Sequence, residues 1–313
     1  MPPTPRQLRY FLAILEHQGY RRAAKALGVS QSALSQQIQK LEQSCGNPLL
    51  DRSQRPPKPT PLGQSFSEAA QRVLTGMADL ERLSEWHSTE STAVLRLGLL
   101  PTIAPFLLAT WLPAIQAQFP RLSIQVWEFP RQELIAALDS GNLDGMILAL
   151  PLPAGNYVSQ VFRYDSFSLL CSHDSPLAQL EEAGLETLNP EDLHLLQEGH
   201  CLRNQVLSLF PQAPKPHEVL SAPDSLHSLA ALVGANGGWT LVPNMALSWL
   251  DLDRLRVQAI PLREPAPGRS LALVWPERGS DRFPWQEIAR SLDEETDRQG
   301  AKIGNSPESC KKS

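Results

Sequence analysis

Between Tyr20 and Glu42 the chain runs Tyr-Arg-Arg-Ala-Ala-Lys-Ala-Leu-Gly-Val-Ser-Gln-Ser-Ala-Leu-Ser-Gln-Gln-Ile-Gln-Lys-Leu-Glu. The stretch predicts two short helices broken at Gly28, a residue that accepts a positive φ at a helix end without a Cβ clash. Ser30 offers its hydroxyl oxygen to the free N–H groups of the second helix, although Ala33, three residues on, leaves no full capping box. On that helix Leu34, Ile38 and Leu41 fall at i, i+4 and i+7 and make one apolar stripe. The other face carries Gln31, Ser32, Ser35, Gln36 and Gln39, uncharged groups that both donate and accept. Such a face suits base edges in a major groove, where Gln bonds adenine through both ends of its amide. This is a helix-turn-helix pattern, which an ordinary surface helix with a polar side would share.

Charge separates the two. Residues 1–60 hold nine bases (Arg6, Arg9, Arg21, Arg22, Lys25, Lys40, Arg52, Arg55, Lys58) against three acids (Glu16, Glu42, Asp51), a net of +6, whereas the whole chain carries −5. A basic head on an acidic body is what phosphate binding leads one to expect. With 313 residues, 42% hydrophobic and 19% charged, the chain is expected to form two or three globular domains. No run approaches the ~20 apolar residues of a membrane helix, and no signal-peptide core opens the chain. A cytoplasmic protein without a membrane partner is expected. Cys45, Cys171, Cys201 and Cys310 show no C-x-x-C spacing. Neither a metal site, even from Cys171-His173 with His200-Cys201, nor a cofactor is expected.

Leu8, Phe11, Leu12 and Leu15 predict a first helix over residues 5 to 17. After Gly46-Asn47-Pro48, the run to Pro56-Pro57-Lys58-Pro59-Thr60-Pro61 predicts a stiff wing in which Arg52, Arg55 and Lys58 meet phosphates or the minor groove; a solvated loop is the alternative. From Leu62 to about Trp86, apolar residues at 62, 66, 69, 73, 77, 80 and 83 predict a helix of roughly 37 Å at ~1.5 Å per residue. Its narrow stripe suits either a second chain or its own domain. The polar stretch Glu85 to Thr92 reads as a linker. Beyond it strands alternate with helices, which predicts a parallel sheet with crossover helices. Strand-like runs fall at 94–99, 122–128, 144–150, 168–172, 240–242 and 271–275, and helical runs at 106–119, 131–140, 202–209, 226–233 and 285–292. The tail from Asp293 is expected to be disordered.

The run Ala23-Ala24-Lys25-Ala26-Leu27-Gly28-Val29-Ser30-Gln31-Ser32-Ala33-Leu34-Ser35-Gln36-Gln37-Ile38, followed by Leu41-Glu42 and Gly46, resembles the LysR-type transcriptional regulators, and the resemblance extends over residues 5 to 292. It implies a winged helix-turn-helix over residues 1–61, mainly α-helical, then a linker helix and hinge over 62–92. An α/β effector domain of two lobes, like a periplasmic binding protein, follows over 93–292, with a tail over 293–313. The DNA-facing candidates are Arg22, Ser30, Gln31, Ser32, Ser35, Gln36, Gln39, Arg52 and Arg55. Ser32, Gln36, Leu50 and Pro59 depart from the residues this family often carries.

Gly199-His200-Cys201-Leu202-Arg203-Asn204-Gln205, with Leu100-Pro101-Thr102 and Gly237-Gly238-Trp239-Thr240-Leu241-Val242-Pro243, is similar to the peroxide-sensing OxyR branch of that family. His200 and Arg203 beside Cys201 would favour thiolate, the form that attacks peroxide, and Thr102 would hold the peroxide or a water. Two positions depart from that branch. Phe210 stands where it has a second cysteine, and Arg131 where it has Thr. Oxidised Cys201 would then need Cys171, a small thiol or another chain to complete a disulfide.

The function expected is a DNA-binding transcriptional regulator, dimeric or tetrameric, that acts on double-stranded DNA with RNA polymerase as a further partner. Its effector candidates are Thr102, Arg131, His200, Cys201, Arg203 and Asn204. The rival in the same fold binds a small organic anion in the cleft through Arg131 and Arg203, with Cys201 inert. An enzyme or a solute-binding protein is disfavoured, since no catalytic set is visible.

Overall fold

The structure is a computed structural model that describes residues 2–86, 93–211, 222–278 and 280–293. Linker residues 87–92, the tail from 294 and Cys310 lie outside the described residues. The chain divides into two compact units, Met1–Ala93 with Asp139–Asn142, and Val94–Leu138 with the remainder from Leu143.

The first unit is helical because its short-range signals agree. Helix α1 (Pro5–Glu16) opens on a capping box: Thr4 N donates to Gln7 Oε1 at 2.9 Å while Gln7 N donates to Thr4 Oγ1 at 3.4 Å. Helix α2 (Tyr20–Ala26) ends before Gly28, which takes φ +65°. Helix α3 (Gln31–Cys45) starts on Ser30, whose Oγ accepts from Ala33 N at 3.2 Å. Leu34, Ile38 and Leu41 are wholly buried with Phe11, Ile14 and Ala23, and each large side chain so buried stabilises the unit by roughly 1.5–3 kcal/mol. Strands β1 (Leu50–Asp51) and β2 (Lys58–Pro59) pair antiparallel as the wing.

Helix α4 (Pro61–Trp86) is one unbroken element of 26 residues. Its apolar stripe divides. Phe66 meets Phe11 edge to face at 5.5 Å and Ala70 is buried, so the first turns pack on their own domain. Val73 and Leu80 remain 51% and 69% exposed. Nothing is described of the Leu83 side chain.

The second unit opens with β3 (Ala93–Leu99), α5 (Ala104–Gln118), β4 (Leu122–Glu128), α6 (Arg131–Asp139) and β5 (Gly145–Ala149). Next comes β6 (Tyr157–Ser172), then α7 (Cys201–Leu209), α8 (Leu226–Asn236) and β7 (Trp239–Pro243). Two short helices, α9 (Asn244–Leu247) and α10 (Leu252–Leu255), lead to β8 (Val257–Pro261) and β9 (Gly268–Pro276). A last helix, α11, covers residues 285–293. The strand order is β4-β3-β5-β9-β6-β7, with β8 also on β6.

The sheet is mixed, which corrects the parallel sheet expected from the sequence. β3 pairs parallel with β5, but β9 is antiparallel to both β5 and β6, and β7 and β8 are antiparallel to β6. The physical reason is β6. It runs for 16 residues, pairing with β9 as far as Ser166 and with β7 and β8 from Phe167 and Ser168. One strand therefore serves both lobes, and the returning chain must lie against it head to tail. The first lobe carries β3, β4 and β5; the second carries β7, β8, α7 and α8.

Candidate functional site

In the first unit, Gln31, Ser32, Gln36 and Gln39 are exposed on α3, and Ser35 is half-buried. Ser30 Oγ is occupied as the cap and lies 3.1 Å from Ser32 Oγ. Arg22 is exposed, and its Nη2 donates to Gln18 O at 3.2 Å. Arg55 is exposed in the wing. Arg52 sits differently: its Nη2 donates to Glu42 Oε2 at 2.7 Å. Glu42 Oε1 also accepts from Leu49 N at 2.9 Å and Leu50 N at 3.2 Å. The Leu41-Glu42 pair thus supplies one core side chain and one carboxylate that joins the recognition helix to the wing. Within the wing, hydrogen bonds from Ser53, then from Gln54, hold the Asp51 carboxyl below its ordinary value.

In the second unit, two of the effector candidates, Arg131 and Cys201, meet across the lobes. Cys201 is the first residue of α7, half-buried, with His200 as its cap. Arg131 is the first residue of α6 in the first lobe. Its Nε donates to Cys201 Sγ at 2.9 Å, its Nη1 to Pro151 O at 2.6 Å, and its Nη2 to Ala149 O. The first helical turn leaves backbone N–H groups free, so the sulfur lies beside two kinds of positive charge, a guanidinium and a helix N-terminus. His200 Nε2 lies 3.5 Å from Asp224 Oδ1.

Thr102 is buried, and it introduces residues that sequence reasoning missed. Its Oγ1 and carbonyl oxygen accept from Arg269 Nη1 at 3.0 Å and Nη2 at 2.9 Å. Arg269 is fully buried and pairs with Asp165, also fully buried, at 3.0 Å. Burial lowers Arg269 below the usual guanidinium value, and Asp165 opposes this, as Cys201 does in smaller measure. Removing either partner of a pair this deep strands a charge, at a cost of about 3–5 kcal/mol. The Thr102 hydroxyl, already an acceptor, keeps its hydrogen to donate.

Arg203 and Asn204 stand apart from the sulfur. Arg203 is buried with its Nη1 donating to Leu196 O at 2.6 Å, and Asn204 is exposed. Gln205 is the residue that helical spacing would have revealed. It lies four positions after Cys201, on the same face of α7, and its Oε1 is buried without a hydrogen-bond partner among the described residues. Phe210 is buried and meets Trp239 edge to face at 5.1 Å, an ordinary core contact of the second lobe. Trp239 follows Gly238, which takes φ +75° where a Cβ would lie 2.5 Å from Asp192 O.

Two family models match this chain: the bacterial regulatory helix-turn-helix protein of the lysR family over residues 5–64, and the LysR substrate binding domain over residues 88–296. The hydrogen peroxide-inducible genes activator of Dickeya chrysanthemi is 33% identical over 291 residues, 92% of this chain and 94% of that protein. Among solved structures, a full-length OxyR mutant from Pseudomonas aeruginosa aligns with TM-score 0.72 and 26% identity over 93% of this chain and 95% of its own. A hydrogen-peroxide-bound OxyR mutant from Corynebacterium glutamicum aligns with TM-score 0.65 and 27% identity over 99% and 98%. Among the described residues no helix is long and apolar enough to cross a membrane. A helix-turn-helix with an uncharged, exposed recognition face, joined to a two-lobed domain with a cysteine in its cleft, is thus matched along nearly its whole length, and the chain belongs to the LysR family of DNA-binding transcriptional regulators.

Proposed function

We propose that this regulator answers hydrogen peroxide through Cys201 and passes the response to DNA-binding heads held in a homo-oligomer, a dimer that pairs into a tetramer. It acts in the cytoplasm on double-stranded DNA, with RNA polymerase as the downstream partner, and works as a regulator rather than an enzyme, without a resident cofactor. The observation that carries the reading is the Arg131 Nε to Cys201 Sγ contact of 2.9 Å at the first residue of α7. A sulfur so placed accepts a hydrogen bond from a cation, which supports it as a nucleophile toward peroxide. The free Gln205 Oε1 and the Thr102 hydroxyl supply an acceptor and a donor suited to the two ends of a peroxide. The name of the Dickeya chrysanthemi relative, an activator of peroxide-inducible genes, agrees with this reading.

The anion-binding rival is weaker, because Arg203, one of the two cations it needs, already serves Leu196 O. Cys201→Ser decides between them. The variant is expected to bind operator DNA as the parent does, and to lose any change in footprint or transcription on adding peroxide. A peroxide response that survives Cys201→Ser overturns the proposal. So does a small organic anion that raises the melting temperature and shifts the footprint while peroxide does nothing.

A further inference from the structure

Four cysteines are present, yet the described structure offers Cys201 no partner for a disulfide within its unit. Cys171 is the other cysteine described there, and it is wholly buried in the sheet through β6, where its Sγ reaches Gln258 O at 3.8 Å. Burial pushes its thiol up to about 11, and a thiol kept protonated is a poor attacking group. Cys45 belongs to the other unit, and Phe210, which caps the C-terminal end of α7, is a carbon-only core side chain. Among the described residues of this unit, then, no second thiol stands ready to take the oxidised Cys201.

The surroundings of that sulfur suit an added negative charge. Arg131 is anchored by the Pro151 and Ala149 carbonyls, so its guanidinium is held in place before anything reacts. Of its five N–H groups, three are engaged by the described contacts, and the rest are free to meet an oxygen on the sulfur. Arg163 shares a face of β6 with Asp165, is within electrostatic reach of Arg269, and keeps a buried Nη1 with no hydrogen-bond partner among the described residues. Among the described residues, neither Arg131 nor Arg163 has a carboxylate partner; Asp165 is committed to Arg269.

We propose that Arg131 is a positioning residue that stores the oxidised signal: peroxide converts Cys201 to a sulfenate, and the anchored guanidinium holds that anion as an ion pair in place of an intramolecular disulfide. The inference rests on the peroxide reading above. In the step, the Cys201 sulfur attacks one peroxide oxygen, an S–O bond forms and the O–O bond breaks. The leaving hydroxide takes the thiol's proton and departs as water; sulfur loses two electrons and the peroxide gains them. The sulfenic acid then gives its own proton to solvent, and the oxygen anion accepts from Arg131, a charge-assisted hydrogen bond of the stronger class.

The test treats the full-length protein with one equivalent of hydrogen peroxide, with no added thiol, then traps with dimedone and maps peptides by mass spectrometry. The expected result is one added oxygen on Cys201, a dimedone adduct there, and no crosslinked peptide. A disulfide joining Cys201 to any cysteine of this chain, within a protomer or between two, overturns the inference and leaves the peroxide reading standing. A Cys201 that stays unmodified overturns both. Adding a second equivalent of hydrogen peroxide and delaying the dimedone measures the lifetime of the oxidised form, which Arg131→Gln is expected to shorten about tenfold as the second peroxide gives an oxygen to the sulfenic acid, forming the sulfinic acid and water, while Arg131→Lys retains part of it. Equal lifetimes in the parent and Arg131→Gln, each with its melting temperature checked, overturn the role given to Arg131.

Discussion

Arg52 Nη2 donates to Glu42 Oε2 at 2.7 Å, tying the wing to the recognition helix, and the same carboxylate takes the N–H groups of Leu49 and Leu50. A cation expected from sequence to meet DNA is thus partly neutralised by its own domain. Glu42→Ala is expected to destabilise the DNA-binding unit by about 2–3 kcal/mol, since two backbone donors lose their partner. Arg52→Ala, which breaks a half-exposed ion pair, is expected to cost under about 1 kcal/mol. Urea unfolding of the two variants checks this, and the opposite order of effects would refute the role assigned to Glu42.

The exposed face of α3 and the wing divide the work of binding. Gln31→Ala and Gln36→Ala are expected to blur discrimination between operator variants, each by about 1–3 kcal/mol at the base pair it reads. Lys58→Ala is expected to weaken every duplex alike and to lower the salt slope by about one. Fluorescence anisotropy over a range of salt separates the two classes; a Gln31→Ala variant with unchanged discrimination removes that side chain from the reading face.

Val73 and Leu80 stay exposed on a helix whose first turns are committed to their own domain. If these side chains meet a second copy, Val73→Asp with Leu80→Asp shifts sedimentation toward the monomer at unchanged helical content. A double variant that sediments as the parent does would place the oligomer contact elsewhere.

Cys171 provides a pH signature. Its folded value, about 11, lies above the ~8.5 of an unfolded thiol. The burial of the neutral thiol therefore stabilises the fold fully below ~8.5 and loses that contribution as pH rises toward 11. In the native protein iodoacetamide should spare Cys171 at neutral pH and reach it only in strong alkali or denaturant. Alkylation of Cys171 at neutral pH without unfolding would contradict its burial.

The helix-turn-helix was legible because its determinants are short-range: the Ser30 cap, the positive φ of Gly28, and a three-residue apolar stripe. Cys201 is singled out only by the resemblance of the run from Gly199 to Gln205 to a peroxide-sensing branch; its composition and spacing alone mark it as an ordinary thiol. Arg269 was not. Its partners Asp165 and Thr102 lie 104 and 167 residues away, and in the sequence it is only a charge at the start of an apolar strand. The first half of β6 was missed because Ser159, Gln160, Arg163, Tyr164 and Asp165 dilute the alternation of an exposed strand. β8 was missed because Val257–Pro261 is short and polar at Gln258. Neither segment declares itself until β9, or β6, is beside it.

The continuity of β6 restricts how a message can travel. A strand common to two sheets cannot bend at will without breaking ladders on one side, so any relative turning of the lobes has to be absorbed near Ser166 and Phe167, where its neighbours change. Asn244 grips that place from both flanks, its Nδ2 donating to Ser166 Oγ at 2.8 Å and its Oδ1 accepting from Ser168 Oγ at 2.6 Å. These two hydrogen bonds brace the joint against free bending. A movement between the lobes is then expected to take the form of a twist about this crossover, which Asn244→Ala should loosen.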